Sequence, residues 1–139
     1  MTTRTIPAER LAELQALPQA ELIESITSGL PAVLVRELAS RMNITLEDLA
    51  TLLRLAPRTL QRRLEEGVLE VTESERLWEL ATLFIRATDV LESEAAAVQW
   101  FKNPIRALGW ITPLSLARTS VGIRELERVL GRVEHGVFS

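Results

Sequence analysis

The sequence predicts an all-α chain built from two helical modules. Three observations carry that prediction. Proline and glycine fall where helices open and close, since Pro fits a first helical turn and Gly the residue just past a last one. Between these marks, apolar residues recur at spacings of three and four. No alternating run is long enough for a strand, Val68-Leu69-Glu70-Val71 being the sole short candidate. At 139 residues the chain is one compact domain or two very small ones.

The elements follow in order. Pro7 opens a helix running to about Leu17, with Leu11, Leu14 and Leu17 three apart. Pro18 opens the next, turning Leu22, Ile23 and Ile26 inward, and Gly29 closes it. Pro31 opens a third, with Leu34, Leu38 and Met42 on one stripe and Asn43 suited to a left-handed cap. Thr45 caps a helix over 46–53, and Pro57 starts one that stops at Gly67. Thr72-Glu73-Ser74-Glu75 reads as a capping box. It begins a long helix that buries Leu77, Leu80, Ala81, Phe84 and either Val90 or Leu91. Ser93 caps a helix over 94–102, and Asn103-Pro104 turns into a short helical piece ending near Gly109. Thr112-Pro113 is another cap with a first-turn proline. The last helix covers 121–135, with Ile123, Leu126, Leu130 and Val133 on one face, and Gly136 ends it. The seam between the modules is expected near 72–93, and Trp78, Trp100 and Trp110 are expected in the core.

Composition excludes several functions. There is no cysteine, which removes disulfides, thiol catalysis and cysteine metal sites. The single histidine, His135, leaves a zinc site short of its commonest ligand. With no phosphate loop and no paired carboxylates in a buried setting, no enzyme, metal or cofactor is expected. Glu65, Glu66, Glu73 and Glu75 read as exposed. The first residues carry no apolar signal core, and the greasiest stretch, 77–85, contains Glu79 and cannot span a bilayer. A cytoplasmic protein without membrane contact is expected. The net charge of -3 excludes a generally basic nucleic-acid coat. The charge is uneven: near neutral over 1–63, strongly acidic over 64–94, and basic over 95–139. The acidic stretch reads as a solvated helix face.

The segment from Thr45 to Leu64 has the form of a helix-turn-helix, two short helices joined by a few residues. Ala50 is small where the helices cross, and Leu49, Leu55 and Leu60 pack beneath the turn. In such motifs the second helix enters the major groove. Its outer face would carry Arg58, Thr59, Gln61, Arg62 and Arg63, side chains that read base edges, with Arg54 placed for a phosphate. From Arg54 to Arg63 there are four arginines and no acid, the local reversal an anionic partner requires. Arg54 takes the place of the glycine usual at the turn, so another turn shape is expected. Ala56 stands where Ser or Thr normally caps the second helix.

The second half is more specific. It contains Trp100-Phe101, Asn103-Pro104, Leu108-Gly109, Thr112-Pro113, Arg118-Thr119, Gly122, and then Leu130, Arg132-Val133-Glu134 and Gly136-Val137. These residues, at this spacing, resemble the toxin-binding C-terminal domain of the Xre/MbcA/ParS antitoxin family. Trp110 stands where that pattern usually has a second glycine. The upstream helix-turn-helix fits the same family, so the resemblance covers roughly 30–139. It divides the chain into a helical extension over 1–30, an Xre-like helix-turn-helix domain over 31–72 and a toxin-binding domain over 73–139.

The resemblance implies an antitoxin of a type II toxin–antitoxin pair. The implied partner is a RES-domain toxin that consumes NAD, its active site blocked by a homodimeric or higher antitoxin assembly. The implied second partner is operator DNA, bound to repress the antitoxin's own operon. The residues expected on the toxin are Arg118, Arg128, Arg132, Glu134, His135, Gly136, Val137 and Phe138. The alternative is a dimeric helix-turn-helix transcriptional regulator with a different protein partner.

Overall fold

The computed structural model describes residues 10–136. Its elements start and stop at the residues whose chemistry demands it. Helix α1 (Leu11–Gln15) is short, and α2 (Gln19–Ser28) follows directly from Pro18 as its N-cap. Helix α3 (Val33–Met42) ends on Asn43 at φ 57°, where a short polar side chain tolerates the left-handed cap. Helix α4 (Leu46–Leu52) is capped by Thr45, whose hydroxyl accepts from the Asp48 amide. Helix α5 (Pro57–Glu66) begins at its proline and stops at Gly67.

Helix α6 (Val71–Leu91) is the longest, and α7 (Glu94–Lys102) is capped by Ser93. A 3-10 turn (Arg106–Leu108) leads to α8 (Pro113–Leu116) and α9 (Ser120–Glu134). Among the described residues there is no sheet, only the isolated bridges Pro31–Val68 and Ile105–Ile111. The one short candidate for a strand, 68–71, forms none, as the all-α reading expects. Its first residue makes one bridge, and its last already opens α6.

Helix α6 is the spine. It packs against α2, α3, α7 and α9, so the expected seam is filled by an element that both halves use. One apolar cluster runs from Leu11 and Leu14 through Leu34, Leu38, Leu49, Leu60, Leu77 and Phe84 to Phe101, Leu126 and Leu130. Phe84 and Phe101 pack at its centre with ring centroids 6.0 Å apart. Burying side chains of this size contributes roughly 1.5–3 kcal/mol each.

Four expectations change. Helix α1 begins at Leu11, and Pro7 lies outside the described residues. Helix α2 buries no residue fully, and Ile23 on it is 55% exposed, because a single stripe, Leu22 and Ile26, reaches α6. The capping box of α6 sits two residues earlier than expected, at Glu70 and Glu73. The reason is that Glu73 is drawn inward by Arg63, and its carboxylate accepts from the Glu70 amide at 2.9 Å. Trp110, expected in the core, is 67% exposed, while Trp78 and Trp100 are half-buried against it.

Candidate functional site

The helix-turn-helix turn is built from backbone. After α4 the Arg54 amide bonds to the Thr51 carbonyl and the Leu55 amide to the Ala50 carbonyl, at 3.1 and 2.8 Å. Arg54 sits at φ 60°, so the turn keeps the left-handed conformation that a glycine would adopt there. The other turn shape expected from the missing glycine is not formed. Ala50 is fully buried, which lets α4 and α5 cross closely, and Leu49 and Leu60 fill the space beneath. Ala56, lacking a side-chain acceptor, makes no cap bond. Arg76 from α6 donates to the Leu53 carbonyl at 3.1 Å and satisfies the end of α4.

On α5 the outward residues are Arg58, Gln61 and Arg62, with Thr59 half-exposed. Gln61 reaches Glu65 at 3.4 Å, and Arg62 lies 4.0 Å from Glu66. Both carboxylates are one turn further along, so the N-terminal end of the helix presents its polar atoms without an acidic neighbour on α5.

Arg63 corrects the sequence reading. It is 8% exposed, and its guanidinium forks onto the Glu73 carboxylate at 2.7 and 2.9 Å. Glu66 and Glu70 complete the cluster at 3.6 and 3.1 Å. The hydrogen bond to Glu73, reinforced by the surrounding carboxylates, outweighs burial and holds the Arg63 pKa above its usual value. Burial pushes the Glu73 carboxyl up. The bonds from Arg63 and the Glu70 amide, with the charges of Arg63 and Arg76, overcome that push and leave it below the usual carboxylate range. Arg63 is thus a structural residue facing α6 and not a DNA contact, and Glu73 does not belong to a solvated face. The signal was in the spacing. Arg63 lies three residues after Leu60, on the same inward stripe.

The second candidate surface lies on α8 and α9. Thr112 and Thr119 cap these helices through their hydroxyls. Gly122 permits their junction, since a Cβ there would stand 1.8 Å from the Leu116 carbonyl oxygen. Arg118 is exposed, with its Nε donating to the Ser115 carbonyl at 3.1 Å. Its own carbonyl accepts from Arg54 Nη1 at 2.6 Å. This bond joins the turn of the helix-turn-helix to the start of α9, so the two candidate surfaces meet at one backbone atom. A groove of about 480 Å³ lies beside it, lined by Arg54, Arg76, Trp78, Glu79 and Ser120 among others.

Farther along α9, Arg128 pairs with Glu125, and Glu134 accepts from Arg86 at 2.9 Å. Arg132 is half-exposed, and His135 and Gly136 are exposed at the helix end, with Gly136 at φ 71°. Val137 and Phe138 lie outside the described residues. The structure brings Arg132, Glu134, His135 and Gly136 together at one end of α9 and leaves Arg118 at the other. Sequence reasoning missed Arg86, which ties α6 to Glu127 and Glu134 of α9 across 48 residues of chain. No local spacing signals such a contact. Among the described residues, no cluster of His, Cys, Asp or Glu fit for a metal ion occurs, and no helix is long and apolar enough to cross a membrane.

Comparison with known proteins addresses both halves. The antitoxin Xre-like helix-turn-helix domain matches residues 21–81, and the antitoxin Xre/MbcA/ParS C-terminal toxin-binding domain matches residues 86–136. The chain is 30% identical over 139 residues to an antitoxin Xre of Yersinia enterocolitica, covering 99% of this chain and 94% of that protein. It is 29% identical over 116 residues to an antitoxin Xre of Photorhabdus laumondii, covering 82% and 78% of the two chains. A Pseudomonas putida antitoxin Xre is 28% identical over 132 residues, with 91% and 82% covered. Among solved structures, the fold is similar to a chain of the M. tuberculosis MbcT–MbcA toxin–antitoxin complex. The TM-score is 0.58 and the identity 24%, over 76% of this chain and 94% of that one.

Proposed function

The chain belongs to the Xre/MbcA/ParS family of antitoxins, and from that premise we propose that it neutralises a RES-domain, NAD-consuming toxin and represses its own operon. The observation that carries the proposal is the match of residues 86–136 to a toxin-binding domain. The C-terminal half acts by steric exclusion, seating Arg118, Arg128, Arg132 and the end of α9 over the mouth of the toxin's active site. There Glu134, His135 and Gly136 lead into Val137 and Phe138. Two of these residues are held internally: Arg128 by Glu125 and Glu134 by Arg86. Arg118, Arg132 and His135 therefore offer the polar contacts most directly. An NAD-binding cleft accepts a dianionic pyrophosphate and an apolar ring, and an arginine beside an apolar side chain matches both. No chemistry is required of the antitoxin.

DNA is bound by the outer face of α5. Arg58, Thr59, Gln61 and Arg62 read bases, and Arg54 holds a phosphate. A homodimer would set two such helices about 34–36 Å apart on successive major-groove faces.

The test is NAD loss in a mixture of the chain with the toxin encoded beside it. Stoichiometric addition is expected to stop the loss. Truncation after His135 is expected to weaken inhibition while leaving folding and operator binding intact. Undiminished inhibition by the truncated chain moves the blocking surface back to the 100–118 region. Failure of the intact chain to slow the toxin at all overturns the reading.

A further inference from the structure

The segment from Ile105 to Ile111 is closed on itself by backbone hydrogen bonds. The Ile105 amide donates to the Ile111 carbonyl at 3.1 Å, and the Trp110 amide returns to the Ile105 carbonyl at 2.9 Å. The Gly109 amide bonds to Arg106 at 3.0 Å, and Leu108 packs its side chain on the core. These bonds fix the loop without help from the indole of Trp110. Two successive residues, Gly109 and Trp110, are left-handed, at φ 74° and 66°. Glycine takes that conformation freely. A bulky side chain does so under strain, and strain of this kind collects at functional sites. The indole is 67% exposed, and Ile111 beside it is 44% exposed.

A large aromatic held in an unfavourable backbone conformation, contributing little to its own core, is poorly explained by folding. Tryptophan is the residue type most enriched where protein interfaces concentrate their binding energy. The charge of its own segment points the same way, although Asp48 of α4 lies along the Thr112–Ser115 side. From 95 to 124 the chain carries Lys102, Arg106, Arg118 and Arg124 and no carboxylate side chain. Arg106 lies on the loop itself, exposed, with no ion pair among the described residues. The loop also falls within the residues matching a toxin-binding domain.

We propose that the Ile105–Ile111 loop is a docking knuckle for the cognate toxin, with Trp110 inserting into an apolar slot rimmed by acidic side chains. This rests on the toxin-binding reading above and adds a second anchor, separate from the end of α9, that selects which toxin is bound. Partners with a filled slot or a basic rim are rejected by the indole and by Arg106.

The test uses the full chain and the toxin encoded beside it, with Trp110→Gly and Trp110→Phe variants. Trp110→Gly relieves the backbone, so its melting temperature should equal or exceed the parent's, and its oligomeric state and operator binding should not move. Its inhibition of the toxin should weaken by at least about tenfold. Trp110→Phe should recover most of that loss. Arg106→Glu should weaken inhibition further and reduce its salt dependence. Undiminished inhibition by Trp110→Gly, while the parent inhibits, overturns the knuckle alone. A change confined to oligomeric state assigns Trp110 to a second copy of the chain and overturns it too. A parent chain that does not bind the toxin removes both this inference and the reading beneath it.

Discussion

In the helix-turn-helix half, the exposed arginines of α5 stand on a helix anchored by a buried charge pair, Arg63 on Glu73. In the C-terminal half, α8 and α9 are anchored by a backbone contact in which Gly122 lies against the Leu116 carbonyl. Each half keeps its candidate face outward by committing a neighbouring residue inward. The first anchor is electrostatic and titrates. The second is steric and does not. Removing charge at the Arg63–Glu73 pair should therefore leave the α8–α9 junction comparatively untouched.

The largest expected effect breaks the electrostatic anchor. Glu73→Ala leaves the Arg63 guanidinium in its buried site with only the more exposed Glu66 and Glu70 as counter-charges. Removing one partner of such a pair costs about 3–5 kcal/mol, readable as a shift of the urea midpoint. The same pair sets an acid dependence. Because the folded-state pKa of Glu73 is lowered, its contribution is present above the ordinary carboxylate pKa and is lost as pH falls through the depressed value. The parent should lose more stability on acidification than Glu73→Ala does. Parallel pH curves for the two proteins would remove the pair from the anchor.

Next in size is the steric anchor. Gly122→Ala puts a methyl group where the Leu116 carbonyl oxygen stands, and backbone on one side or the other must shift. A cost of about 3 kcal/mol is expected, at the upper end for overpacking. Unlike the first, it should not vary with pH between the carboxylate range and neutrality. Toxin inhibition should suffer more than operator binding, measured on the same folded preparation.

A smaller effect concerns the outward face itself. Arg58→Ala with Arg62→Ala should leave the unfolding free energy from urea titration within about 0.5 kcal/mol of the parent, as exposed substitutions do. Each should reduce discrimination between operator and random DNA by about 1–3 kcal/mol for a base contact. Equal operator retardation by the folded double variant would move DNA recognition off α5.

The smallest effect tests the bond that joins the halves. Arg54→Gly gains about 1–2 kcal/mol by removing a side chain from a left-handed position. It loses about 0.5–1.5 kcal/mol with the hydrogen bond to the Arg118 carbonyl. The net change in stability is near zero. The salt slope of DNA binding should still flatten by about 1, as for a lost phosphate contact. A large stability loss would show the Arg54–Arg118 bond to be a main tie between the halves.

Much of this architecture was legible in the sequence. Caps are local chemistry, so Thr45, Ser93, Thr112, Asn43 and Gly67 mark their helix ends without reference to the rest of the chain. Apolar spacing likewise placed Leu34, Leu38, Met42, Leu77, Leu80 and Phe84 inside. The motif residues from Trp100 to Gly136 pointed to the antitoxin family because their order and spacing are themselves the signal. What tertiary structure alone decided is which of two similar residues turns inward. Arg62 and Arg63 are neighbours of one type, and the second is buried because Glu73 lies across from it on another helix. Trp100 and Trp110 look alike as aromatic residues near a turn. The first packs on Phe101 with ring centroids 5.0 Å apart, and the second is carried outward by a left-handed backbone. The shift of the α6 N-cap from Thr72 to Glu70, and the tie from Arg86 to Glu134, have the same origin. A charged or aromatic side chain has no fixed preference for core or solvent, and its place is set by the partner that another part of the chain brings to it.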